Sequence, residues 1–177
     1  MSSELRVDRI LPVDGAPTSG GGGIIQIQQA FLNTAVTSTA TSEEEISTGL
    51  RAVITPKFAT SKFLVRANIS ATASNSGNGI LLNGTTTGSL LEPSGYSSRG
   101  RSAAGELYAP GGSVDTFQSF SIEILDSPGT TATQTYKAQV FVRNNGNTIY
   151  INRSANDGDD AGKSRGCSTI TVMEVSA

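Results

Sequence analysis

From residue 116 to residue 152 apolar and polar side chains alternate in three successive runs. Over 116–126, Phe120, Ile122 and Ile124 alternate with Gln118, Ser119, Ser121 and Glu123. Over 135–144, Tyr136, Ala138, Val140 and Val142 alternate with Lys137, Gln139 and Arg143, and Ile149 and Ile151 carry the apolar face through 148–152. A period of two over this length places one face of a strand on a core and the other towards solvent. Asn144-Asn145-Gly146-Asn147 offers the positive φ angles of a tight hairpin, and Ser127-Pro128-Gly129-Thr130-Thr131 a Pro-Gly turn. The pattern predicts three consecutive strands of one antiparallel sheet.

The same reading extends along the rest of the chain. Strands are predicted from Ile24 to Phe31, at Leu50, Ala52 and Ile54, and through Phe63, Val65, Ala67, Ile69 and Ala71. Residues 34–41 read as an edge strand or extended loop, and Asn83-Gly84 after Ile80-Leu81-Leu82 as a hairpin turn. Residues 101–107 read as a further strand, and a last one covers 168–175, with Ile170 and Val172 on one face and Thr169, Thr171 and Met173 on the other. Strands every 10–15 residues or so without a helical window predict an all-β domain, a jelly-roll-like antiparallel β-sandwich over residues 24–177.

Residues 1–23 break this pattern. Leu5, Val7, Ile10, Leu11 and Val13 are apolar, but Pro12, Asp14-Gly15 and Pro17 exclude a useful helix. Such a segment cannot bury its aliphatic residues on itself, so it is expected to be an extended arm ordered by another surface. Gly20, Gly21, Gly22 and Gly23 form the hinge between arm and domain.

Composition narrows the chemistry. The chain has 177 residues, 16% charged, with a net charge of −2. Without a basic stripe it offers nucleic acid no phosphate-neutralising surface. No apolar run reaches the ~20 residues of a membrane-spanning helix, and no apolar segment follows Met1 as in a secretory signal, so synthesis in a cytoplasm is expected. The single cysteine, Cys167, excludes an internal disulfide and is expected to be half-buried beside the last strand. There is no histidine, which removes Ser-His-Asp and Cys-His sites and zinc hydrolase sites. The acids fall in turns or on presumed solvent faces, so no catalytic residue is assigned and the protein is expected not to be an enzyme.

No metal or cofactor is assigned. Glu43-Glu44-Glu45 reads as a solvated loop, and Gly158 interrupts the acids of Asn156-Asp157-Gly158-Asp159-Asp160, which lack calcium-loop spacing. There is no tryptophan, and Tyr136 belongs to the core pattern, so Tyr96, Tyr108 and Tyr150 are the candidate rings for surface recognition of a sugar.

Several segments in a fixed order resemble virion structural proteins of tailed bacteriophages, tail-fibre-like proteins of cyanophages in particular. They are Leu5-Arg6-Val7-Asp8-Arg9-Ile10-Leu11-Pro12-Val13-Asp14-Gly15, the stretch from Ser47 to Pro56 with Ser61-Lys62-Phe63-Leu64-Val65, and Leu125-Asp126-Ser127-Pro128-Gly129-Thr130-Thr131 leading to Tyr136. Tyr150-Ile151-Asn152-Arg153-Ser154 and the run from Arg165 to Val175 complete the set; residues 73–112 carry no match. The resemblance implies a virion protein assembled in the host cytoplasm, a homotrimer with a β-module of jelly-roll kind. Its arm would dock on tail or capsid proteins, and its head would meet a host-surface glycan or protein, as in host attachment. The chain has no long shaft between arm and head, which keeps a capsid decoration protein beside the tail fibre as a reading. A lectin-like carbohydrate-binding module is the third.

Overall fold

In the computed structural model the described residues are 23–75, 78–90, 102–105, 107 and 116–175. Alternation becomes strand wherever one face can be buried. The strands are β1 (Ile24–Leu32), β2 (Val36–Ser38), β3 (Glu44–Glu45), β4 (Arg51–Ile54), β5 (Lys62–Ala73), β6 (Gly79–Gly84), β7 (Gly88–Ser89), β8 (Gln118–Asp126), β9 (Gln134–Phe141), β10 (Ile149–Ile151) and β11 (Ser168–Val175). A 3-10 turn, Thr48–Leu50, precedes β4, its start capped by the Ser47 hydroxyl accepting from the Gly49 N–H.

The strands form two antiparallel sheets. The twelve-residue β5 is the axis of the first: β8 runs along one side, and β11 and β10 lie end to end along the other. Beyond them, β1 pairs with β11 and β2 with β10. In the second sheet β9 is flanked by β3 and β4 on one side and by β6 on the other, with β7 outside β6. This is the expected all-β sandwich of jelly-roll-like form. Its core holds Phe63, Val65, Ala67 and Ile69 of β5, Ile122 of β8, and Ile170 and Val172 of β11. From the other sheet come Ala52 and Ile54, Ile80 and Leu82, and Tyr136, Ala138 and Val140. The Phe63 and Tyr136 rings meet across the two layers, centroids 6.1 Å apart.

The buried sets of β5, β8, β9 and β11 match the alternation, but the connections differ from expectation. β8 and β10 lie in the first sheet and β9 in the second, so the three consecutive strands are not one sheet and neither link is a hairpin. The local turn chemistry is as read, with Gly129 at φ 66° and Gly146 at φ 94°. What differs is the plane of reversal: β9 is drawn across the core by its buried Gln134, Tyr136, Ala138 and Val140. After β9 the chain is fixed by Val142 N–H donating to Ala40 and Asn147 N–H to Asn144. The β6–β7 hairpin does form, but Asn83 and Gly84 pair within it and the reversal uses Thr85–Thr87 and Gly88, at φ 67°. Among the described residues of 101–107 there is no strand, only a bridge from Leu107 to Asn78. Residues 36–38 form the expected edge strand, and Glu44–Glu45 is a short strand rather than a loop.

Two polar clamps fix the strand ends, one between the sheets and one within the first sheet. At the end of β8, Asp126 accepts from Tyr136 Oη at 2.7 Å, from Thr87 Oγ1 at 3.2 Å and from the Ser127 N–H at 2.8 Å, joining both sheets. After β10, Asn152 is fully buried with φ 59°. Its Nδ2 donates to the carbonyls of Leu32 (2.9 Å) and Thr34 (3.1 Å), and its Oδ1 accepts from Ser168 Oγ at 2.6 Å.

Gly166 sits where the chain passes under Phe117, and a Cβ there would lie 2.9 Å from both Phe117 Cε2 and Ser70 Cβ. Gly166→Ala is therefore expected to cost about 1–3 kcal/mol by overpacking. A urea midpoint equal to that of the unsubstituted protein would contradict this close approach.

Candidate interaction surfaces

The arm residues Leu5, Val7, Ile10, Leu11 and Val13 lie outside the described residues, as do Gly20, Gly21, Gly22, Tyr96 and Tyr108. Gly23 is the first described residue and leads directly into β1, an outer strand of the first sheet. Tyr150 is half-buried in β10, between Thr37 and Thr72 of the neighbouring strands. One face of its ring is covered by the Arg153 guanidinium, whose Cζ is 5.1 Å from the centroid. That guanidinium is held in turn by the carbonyls of Ser154 and Ala155 and by Asp157, at 3.4 Å. A sugar stacking on Tyr150 is excluded from the face that Arg153 covers.

The acidic loop after β10 is organised by ion pairs. Asp157 meets Arg165 at 2.6 Å as well as Arg153, and Asp160 meets Lys163 at 3.1 Å. The Lys163 hydrogen bond, followed by that from the Gly162 N–H, holds the Asp160 carboxyl below its ordinary value. Asp157, Asp160, Lys163 and Arg165, with Asp159, line a shallow depression of about 210 Å³. Among the described residues no three of His, Cys, Asp and Glu are grouped to hold a metal ion.

The other acidic run is also tied into the fold. Glu44 accepts from Ser38 Oγ at 2.6 Å, and Glu45 receives both Nε and Nη2 of Arg51, at 2.5 and 2.7 Å, with Lys137 at 3.8 Å. This forked pair, first by its hydrogen bonds and then by charge, raises the Arg51 pKa. Arg51, Asn83, Thr85, Thr135 and Lys137 line a second depression, about 380 Å³, on the outer face of the second sheet. Both depressions are polar and shallow, and their charged walls largely satisfy one another; this is poor ground for activating a nucleophile or shifting a general base.

Cys167, expected to be half-buried, is exposed, because it lies in the turn before β11 rather than in the strand. The alternation also gave no sign of Asn152, a polar residue just past a strand; only its contacts reveal its role. Among the described residues the exposed large apolar ones are Ile24, Ile27, Phe31, Val53 and Leu125, and four of these five lie on the first sheet.

No family model and no curated protein matches the chain. Among solved structures, it is similar to a chain of infectious bursal disease virus, Gx strain, at 11% identity and a TM-score of 0.39, over 86% of this chain and 37% of that one. It is also similar to a chain of deformed wing virus, a honeybee pathogen, at 9% identity and a TM-score of 0.21, over 100% of this chain and 52% of that one. The chain thus spans about a third to a half of the length of the chains it matches, and TM-scores this low establish no common function.

Proposed function

We propose that this protein is a non-enzymatic structural component of a bacteriophage virion, a short tail-fibre-like appendage. Residues 1–23 dock it on the particle and residues 24–177 form the head that projects from it. The supporting observation is where the phage-like segments fall. The stretch from Ser47 to Pro56 makes the 3-10 turn and β4, Ser61 to Val65 opens β5, and Leu125 to Tyr136 contains the Asp126–Tyr136 hydrogen bond. Tyr150 to Ser154 and Arg165 to Val175 contain Asn152, its partner Ser168, and β11. The resemblance therefore covers the central residues of both clamps, Asp126 with Tyr136 and Asn152 with Ser168, as expected of a shared module. No bond is made or broken in this role. Copies acting together, a homotrimer in the reading above, would turn weak contacts into firm attachment.

Capsid decoration is the second reading, favoured by one feature: β1 begins at Ile24, directly after the glycines, with no shaft between arm and head. Both readings place the docking function in the arm. Deleting residues 1–23 is expected to leave the far-UV circular dichroism of a folded β-protein and to abolish co-sedimentation with phage particles. Undiminished co-sedimentation of the truncated protein would overturn the docking role. Release of reducing ends from host polysaccharide would overturn the non-enzymatic reading.

A further inference from the structure

The first sheet has an apolar band across its outer face. Pairing register sets Ile27 of β1 opposite Met173 of β11, Met173 opposite Leu64 of β5, and Leu64 opposite Leu125 of β8. One aliphatic or thioether side chain from each of four adjacent strands thus falls in a single row. Ile24 pairs with Val175 at one end and widens it. Ile27 is 53% exposed and Leu125 52%, while Leu64, Met173 and Val175 are half-buried. Isolated exposed aliphatic residues are ordinary on a soluble protein, but a contiguous band spanning the width of a sheet marks an interaction surface. The inner faces of the same strands already supply Val65, Ile122 and Val172 to the core, so the band is additional to it.

We infer that this band is the surface by which one copy of the chain holds a second copy. Size is the first reason. Four strands about 4.8 Å apart, with β11 rising about 3.3 Å per residue over its eight residues, make a face of about 19 by about 26 Å. That whole face, of which the apolar band is one part, is about 500 Å² in projection, below the ~800 Å² per partner of a standard stable interface and in the range of a weak, concentration-dependent one. Charge is the second reason. The charged residues that these strands present outward are Lys62, Arg66 and Glu123, and Arg66 and Glu123 neutralise each other at 2.5 Å. A second copy, itself of low net charge, meets this face with little like-charge cost, whereas a strongly acidic or basic partner finds no complementary field. Gln29 and Thr171 in the next row, and Asn68 and Ser121 in the row beyond it, supply neutral hydrogen-bonding groups of the kind found at an interface rim. The inference does not rest on the virion reading, since copies can meet through this face in free solution.

The test is sedimentation equilibrium of the full chain, with circular dichroism as the check on folding. The unsubstituted protein is expected to be an oligomer in the micromolar range. The double variant Ile27→Glu, Leu125→Glu should keep its fold, because both side chains are more than half exposed, and should self-associate at least about a hundredfold more weakly. Val53→Glu, an exposed site on the other sheet, should leave association unchanged. A protein that stays monomeric at about 100 µM would overturn the inference. So would an oligomer that the double variant leaves intact. Dissociation by Leu5→Ser, Ile10→Ser and Leu11→Ser together would also overturn it, by making the arm the occupant of the band.

Discussion

Asn152→Ala is expected to destabilise the domain by about 4 kcal/mol, a large part of the stability of a protein of this size. The side chain is fully buried and makes three hydrogen bonds, to the carbonyls of Leu32 and Thr34 and from Ser168 Oγ. Alanine leaves two carbonyls and a hydroxyl without that partner, each at about 1–3 kcal/mol where water cannot replace it. It also places a Cβ-bearing residue without a polar side chain at φ 59°, a conformation that asparagine tolerates better than most. Two further variants separate the causes. Asn152→Gly removes the backbone strain and keeps the hydrogen-bond loss, so it should recover about 1 kcal/mol of the deficit. Asn152→Asp keeps shape but turns oxygens towards the Leu32 and Thr34 carbonyls, so it should be at least as damaging as alanine. Urea midpoints measure all three, and an aspartate variant as stable as the parent would show that these bonds do not carry the junction.

Tyr136 carries the second large effect. Truncation to alanine removes the ring that meets Phe63 between the sheets and should cost about 3–5 kcal/mol. Tyr136→Phe keeps the ring and removes the hydroxyl that donates to Asp126, which should cost about 1–3 kcal/mol at neutral pH. The phenylalanine variant also makes a prediction about pH. Burial first, and then the hydrogen bond and charge of Asp126, hold the Tyr136 phenol far above its ordinary value. The folded protein keeps this proton at a pH where the unfolded chain, with a phenol near pKa ~10, releases it. The site's contribution is complete below about pH 10 and is lost as pH rises beyond it, by up to about 1.4 kcal/mol per pH unit. Tyr136→Phe lacks this loss, so the stability curves of the two proteins should converge in alkali. Parallel curves up to the limit of measurement would contradict the clamp.

The strands were legible because burial on one face imposes a period of two. Phe63, Val65, Ala67 and Ile69 fall on the inner face as their spacing required, and so do Tyr136, Ala138 and Val140. Sheet membership was not legible. Pro128-Gly129 and Asn145-Gly146 announce a reversal of the chain, but turn chemistry does not say whether the returning strand lies beside its predecessor or across the core from it. The clamps were also hidden. Asp126 and Asn152 each stand at a strand end, where a polar residue is unremarkable, and their partners lie as many as 120 residues away. The apolar band was invisible for a related reason. Ile27, Leu64, Leu125 and Met173 sit on four separate strands, and only the pairing register brings them into one row. The arm residues remain a proposal from the sequence, since they lie outside the described residues.

The most direct measurement is peptide mass spectrometry of density-purified virus particles from cells that make this chain, combined with antibody labelling against residues 24–177. This protein is expected at a fixed copy number per particle, with label at the tail for an appendage or over the head for a decoration protein. Infected-cell lysates that contain the protein while purified particles contain none would contradict it.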